Sequence, residues 1–304
     1  MNHKIVTMRK ALLSVGAIAL GMMHTLTIWA GTPLIKSEAD GKYSILVNDL
    51  TMTIDSKGGK ILSFKYKDAE IISQSRFPES FGSTFWTSPQ KEWYWPPIPE
   101  YDKQPYIVLH TGNTLTMKSN VSEKLKYSIT KEFLPDAKDN AIIINYTITN
   151  ESDETRQVAP WEITRVQNND GTIFFDTDIS QITPAGLMNF KAEHGAIWYH
   201  TDVTNGNRKI NADGKGWLAY YANGLLLIKK FQDIEPSQSA PDEAEIQIYV
   251  NRGKTHIELE SQGAYTTLEP QKSLTWSVKW YLIPVDDVAT SSYQLLKKVK
   301  NLLK

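Results

Sequence analysis

The chain is a succession of short strand-like runs, many of which alternate apolar and polar residues, with a turn signal about every ten to fifteen residues. Such runs occupy 43–47, 50–55, 60–67, 115–119, 127–133 and 141–149, and later 217–221, 225–231, 244–250, 255–260 and 274–282. A period of two is what a strand needs when one face is buried. Asn48-Asp49, Gly58-Gly59, Pro135-Asp136 and the polar stretch 150–153 separate the runs with residues suited to turns. The pattern predicts an all-β fold, an antiparallel sandwich or barrel-like arrangement. Only residues 291–304 have helical spacing, with Tyr293, Leu295, Leu296, Val299, Leu302 and Leu303 on one stripe and lysines between. Thr290 or Ser291 is the expected cap. The stripe is expected to pack on the body of the protein, with a membrane surface as the alternative partner.

Residues 1–30 have a different composition. Lys4, Arg9 and Lys10 precede an apolar stretch from Ala11 to Ala30, followed by Gly31-Thr32-Pro33. This is the layout of a signal peptide, with the cut expected after Ala30. An uncleaved anchor is the alternative. No later segment is long and apolar enough to span a bilayer as a helix. The remainder, 31–304, has no linker or low-complexity tract and reads as one domain. The chain has no cysteine, which excludes disulfides, thiolate nucleophiles and cysteine-ligated zinc. A bacterial periplasmic or secreted protein is expected. Without the three leader bases, 30 basic residues face 34 acidic ones, so nothing favours nucleic acid as a partner. No phosphate loop, dinucleotide fingerprint or nucleophile elbow is present, and no cofactor or metal is expected. A monomer is expected.

Three of the nine tryptophans, Trp86, Trp93 and Trp95, fall within ten residues, and Pro96, Pro97 and Pro99 follow. Proline excludes a helix interior or a central strand there, so the run is expected to be a loop. Flat apolar rings on a stiff loop suit the faces of a pyranose sugar; rings that merely cover the core are the alternative. In 158–166, Trp161, Ile163 and Arg165 share one face of an extended strand, and Glu162 and Thr164 share the other. An arginine beside a tryptophan suits a sugar site, the ring stacking and the guanidinium donating hydrogen bonds. His256, Glu258 and Glu260 share one face of another strand. Glu260 stands where that strand meets the Ser-Gln-Gly turn, a good place for a general base. Glu162 or a histidine is the candidate acid. Lys230, ending an apolar strand beside Lys229, is a candidate substrate-binding cation. Glu193, His194 and His200 match no metal motif.

Several segments resemble a known family. Residues 58–72, a glycine pair followed by a strand, resemble the opening strands of aldose 1-epimerases, the galactose mutarotases. Residues 81–90 with Trp93-Tyr94-Trp95-Pro96-Pro97, then 158–165, 257–265 and 280–282, look like the DUF4380 family of secreted bacterial proteins, which shares that fold. The resemblance implies a galactose mutarotase-like β-supersandwich with a short C-terminal helix and a concave sheet face that holds carbohydrate. In mutarotases a glutamate near the C-terminus is the base and a histidine is the acid. Glu260 is nearest to the base. Pro160-Trp161-Glu162 stands where the histidine is expected, so the acid is missing there. The resemblance of Leu268-Glu269-Pro270-Gln271 to the segment around the mutarotase base makes Glu269 the rival, with Glu260 preferred. The readings are an enzyme acting on sugars (an epimerase, lyase or hydrolase relative), a non-catalytic sugar binder, and a structural envelope protein.

Overall fold

The computed structural model describes residues 33–75, 81–285 and 292–304. The expected leader at 1–30, and Thr290 and Ser291 as helix caps, lie outside the described residues. Among the described residues the chain forms 21 strands in two antiparallel sheets, with two short α-helices. The first sheet runs Leu34–Ser37, Lys42–Val47, Leu50–Asp55, Lys60–Tyr66, Ser83–Ser88, Arg156–Gln167, His256–Gln262, Ile246–Val250, Arg208–Ala212. Thr266–Leu268 and Ala69–Glu70 pair onto its sides. The second runs Phe190–Glu193, Ala196–His200, Thr172–Phe175, Trp217–Ala222, Leu225–Lys230, Ser273–Pro284, Ala141–Asn150, Tyr127–Asp136, Thr114–Lys118, Ile107–Thr111. The antiparallel all-β fold expected from the strand runs is the fold found, in the supersandwich form that the family resemblance implied.

Alternation explains which face is buried. In Ala141–Asn150, Ile142, Ile144, Tyr146 and Ile148 enter the core between the sheets. On the opposite face Thr147 and Thr149 pair through their hydroxyls with Thr275 and Ser273, both at 2.8 Å. These are the cross-strand pairs an exposed antiparallel face favours. The helix Ser292–Leu302 lays Leu295, Leu296 and Val299 on the outer face of the second sheet, among Phe174, Trp198, Trp217, Leu226 and Ile228. Packing on the body is therefore the use of its apolar stripe.

The aromatic run was expected to be a loop because of its prolines, and part of it is not. Residues Ser83–Ser88 are an internal strand of the first sheet, with Trp86 opposite Trp161. Proline acts only from Pro89 onward, and Thr84, Phe85, Trp86 and Thr87 are all good strand formers. The rest of the run folds back as a 3-10 turn, Gln90–Glu92, and the helical turn Pro99–Asp102. The expected Gly58-Gly59 turn is present, and Gly58 has φ +71°. A Cβ on Gly58 would stand 2.4 Å from the Asp102 carbonyl oxygen, so only glycine lets the Pro99–Asp102 turn pack this closely.

Strand Arg156–Gln167 is buried on both faces, which decides the fate of Glu162. Its carboxylate points between the sheets, where it accepts hydrogen bonds from Tyr146 Oη at 2.7 Å and Trp280 Nε1 at 3.1 Å. Lys229 Nζ lies 2.6 Å from Glu162 Oε2, and neither side chain is exposed. Burial lowers the Lys229 pKa from its ordinary value, and the facing carboxylate partly opposes this. A second lysine, Lys131, is buried against the carbonyls of Gly58 and Gly59, at 2.8 and 3.0 Å. Burial pushes it down to about 7.

Candidate functional site

The cleft lies on the face of the first sheet that points away from the second. Register builds it row by row. Trp86 stands opposite Trp161, which stands opposite Gln262. In a second row Ile163 faces Glu260, and Glu260 faces Gln247. In a third, Arg165, Glu258, Tyr249 and Lys209 line up across four strands. Cross-strand partners share a face, so these side chains converge on one surface. The resulting cleft has a volume of about 550 Å³, within the range of small-ligand sites. Its walls include Trp86, Trp95, Trp161, Lys209, Glu258 and Glu260, with Tyr249, Asn207, Asn251, Arg252, His256 and Gln90 completing them.

Glu260 lies at the buried floor, 1% exposed. Its Oε2 accepts from Trp161 Nε1 at 2.9 Å and from Lys209 Nζ at 3.0 Å. Its Oε1 has no hydrogen-bond partner among the described residues. Burial pushes the carboxyl up to about 7; Lys209 opposes the rise and Glu258 adds to it. Arg165 is buried and donates from Nε to Glu258 Oε1 at 2.8 Å. His256 lies four residues before Glu260, its Nε2 3.8 Å from Glu258 Oε1. Burial lowers its pKa, which favours the neutral ring.

The aromatic side chains divide by position. Trp86 and Trp161 meet edge to face at 5.5 Å, and Trp86 and Trp95 at 6.2 Å. The Arg165 guanidinium lies 5.7 Å from the Trp86 ring centroid, and Lys209 Nζ lies 4.7 Å from that of Trp161. Trp95 is 63% exposed and forms the open rim. Trp93 is buried, donating from Nε1 to the Thr87 carbonyl at 2.8 Å, and packs behind Trp86. Asp102 fixes Trp86 from below: it accepts from Trp86 Nε1 at 3.2 Å and Thr84 Oγ1 at 2.9 Å, and it pairs with Lys60 at 3.4 Å. Glu243 fixes the start of the aromatic turn by accepting from the Gln90 backbone N–H at 3.0 Å.

Of the residues expected from the sequence, Trp86, Trp95, Trp161 and Glu260 stand together in the cleft, with Arg165 beside them. Three do not, and the expectations for them are corrected. Glu162 faces the other side of the sheet from Glu260, because odd and even residues of a strand point opposite ways, and it is held by Lys229. Trp93 is a packing residue under Trp86. Lys230 lies on the outer face of the second sheet and donates to the Leu303 carbonyl at 3.0 Å, while its neighbour Lys229 takes the inward position. Glu269, the rival base, is exposed at the turn before Ser273–Pro284. Glu193 and His194 lie by the C-terminal helix, in contact with Ser292 and Tyr293. Sequence reasoning missed Lys209, Tyr249, Asn207, Asn251 and Asp102. For Lys209 the signal was faint: five residues, Arg208–Ala212, alternating about a single isoleucine.

No protein-family model matches the chain, and no curated protein sequence matches it. Solved structures do match. The backbone is similar to a galactose mutarotase-like protein from Clostridium acetobutylicum, at 10% identity over 83% of this chain and 99% of that one, with a TM-score of 0.54. It is similar to a galactose mutarotase related enzyme from Lactobacillus acidophilus, at 13% identity, 82% and 100% coverage and a TM-score of 0.52. A third is an aldose epimerase homologue from C. elegans, at 10% identity, 84% and 99% coverage and a TM-score of 0.52. Likeness at these identities is likeness of fold. The chain has the galactose mutarotase-like architecture, and its cleft lies on an open sheet face of that architecture.

Proposed function

We propose that this protein binds a carbohydrate in the cleft and acts on it with Glu260 as base. The observation that carries the reading is the floor of the cleft. A buried carboxyl pushed up to about 7 sits against the indole of Trp161, with Trp86 and Trp95 beside it. Aromatic faces suit the apolar face of a pyranose, and the asparagines, Tyr249 and Arg252 supply hydrogen-bond partners for hydroxyls. A carboxylate tuned near neutrality suits proton abstraction from a hydroxyl. The fold likeness to mutarotase-like proteins supports a hemiacetal carbon as the reacting centre. The sequence resemblance to the DUF4380 family, and secretion to a bacterial periplasm or surface after loss of residues 1–30, belong to the same reading. N-terminal sequencing of the protein recovered from the envelope checks the cut after Ala30.

One observation favours a second reading, a sugar binder without catalysis. Glu162, the acid expected from the sequence, is turned away and ion-paired between the sheets. A panel of neutral and acidic sugars titrated against intrinsic tryptophan fluorescence tests binding. Proton NMR of anomeric exchange and bond cleavage, on the wild type and Glu260→Gln, tests catalysis. Binding without turnover leaves the second reading; no spectral change with any sugar refutes both.

A further inference from the structure

Opening a sugar hemiacetal needs two proton movements, since O1 loses a proton while the ring oxygen O5 gains one. On the reading of Glu260 as the base, the second group must reach atoms bonded to the same carbon. Glu162 is on the wrong face of the sheet. His256 is four residues along the same strand, roughly 13 Å from Glu260 at the rise of a strand, and its near partner is Glu258. Lys209 meets the geometric requirement: its Nζ is 3.0 Å from Glu260 Oε2 and 4.7 Å from the Trp161 ring centroid.

We propose that Lys209 is the proton donor that works with Glu260 in this cleft. Trp161 Nε1 and Lys209 Nζ both donate to Glu260 Oε2, while Oε1 is buried. The Glu260 carboxylate, which lines the cleft, takes the proton from O1 of the bound sugar at Oε2, the oxygen that faces Lys209. The O1–C1 bond becomes a carbonyl, the C1–O5 bond breaks, and the Lys209 ammonium gives its proton to O5. Glu260, now protonated, returns the proton to the neutral amine across their contact, and both groups regain their starting states. Ring closure reverses these steps on either face of the carbonyl. Lys209 suits the task because its side chain is about a third exposed, on the short last strand of the path, and so is open to a ligand in the cleft. Lys209 and Glu260 both line the cleft, so a sugar bound there lies beside both groups.

The test uses D-glucose, D-galactose and D-glucuronate, with saturation transfer between the anomers by proton NMR and fluorescence titration of the same samples. Lys209→Met and Lys209→Arg are compared with wild type, each checked for an unchanged melting curve. Arginine keeps the positive charge beside Glu260 but does not release a proton. Both variants are expected to retain sugar-dependent fluorescence and to lose exchange rate by about 100-fold or more, the usual contribution of a positioned acid. A Lys209→Arg protein that exchanges anomers at the wild-type rate overturns the proposal while the base reading stands. A wild-type protein that binds these sugars without accelerating exchange overturns the base reading and the donor together.

Discussion

Replacing Glu260 with glutamine gives a direct measure of how the cleft treats a charge. Glutamine keeps the shape and removes the ionisation. In the folded chain burial raises this carboxyl from an ordinary 4.5 to about 7. The folded state therefore holds a proton that the unfolded state gives up between those values. The stabilising effect of that proton is fully present below about pH 4.5 and is lost as pH rises through about 7. A shift of this size corresponds to about 3 kcal/mol. Urea unfolding of wild type and Glu260→Gln, from pH 4.5 to 8.5, is the assay. The two proteins are expected to be close in stability at the acid end. The glutamine variant should become the more stable by about 3 kcal/mol above pH 7. Other titrating groups, including Glu245, which burial also pushes up to about 7, largely cancel in the difference. Parallel curves would show that Glu260 titrates alike in the folded and unfolded chain. A difference of opposite sign would mean that the contacts with Lys209 and Trp161 outweigh burial, and either outcome would rule out the raised pKa.

Three further outcomes are expected. Lys229→Met leaves Glu162 between the sheets without its cation, and should lower unfolding stability by about 3–5 kcal/mol, whereas Glu162→Gln combined with Lys229→Met should recover much of that loss; denaturant titration measures both. Trp95→Ala should weaken sugar binding by about 0.5–1.5 kcal/mol with no change in melting temperature, since the ring is exposed, while Trp93→Ala should cost about 3–5 kcal/mol of stability by opening a cavity under Trp86. Gly58→Ala should destabilise by more than about 1 kcal/mol, because Gly58 has φ +71° and a Cβ would clash with the Asp102 carbonyl; near-ultraviolet circular dichroism of Trp86, held by Asp102, should change with it.

The alternating runs, the glycine pair and the helical stripe at the C-terminus were legible in the sequence because each is a local pattern with a local cause. A strand with one buried face must alternate, a left-handed turn needs glycine, and a helix lying on a sheet needs a stripe. The two faces of 158–166 were legible for the same reason: Trp161 with Arg165 on one side, Glu162 with Thr164 on the other. Parity within a strand does not say which face meets the other sheet and which lines the cleft. Glu162 was therefore expected in the site and was found against Lys229, Tyr146 and Trp280. The same ambiguity made Lys230 the candidate when Lys229 has the buried partner.

Local patterns in the chain specify an antiparallel β protein, with aromatic and carboxylate residues concentrated in a few strands. Tertiary structure decided which of them meet. Glu260 and Trp161 are 99 residues apart and Glu260 and Lys209 are 51 apart, yet strand pairing brings each pair to within 3.0 Å. Register between distant strands is set by packing over the whole sheet, so no local pattern encodes it. The pKa of Glu260 is likewise a property of the assembled cleft, because burial and the neighbouring charges exist only after the strands have paired.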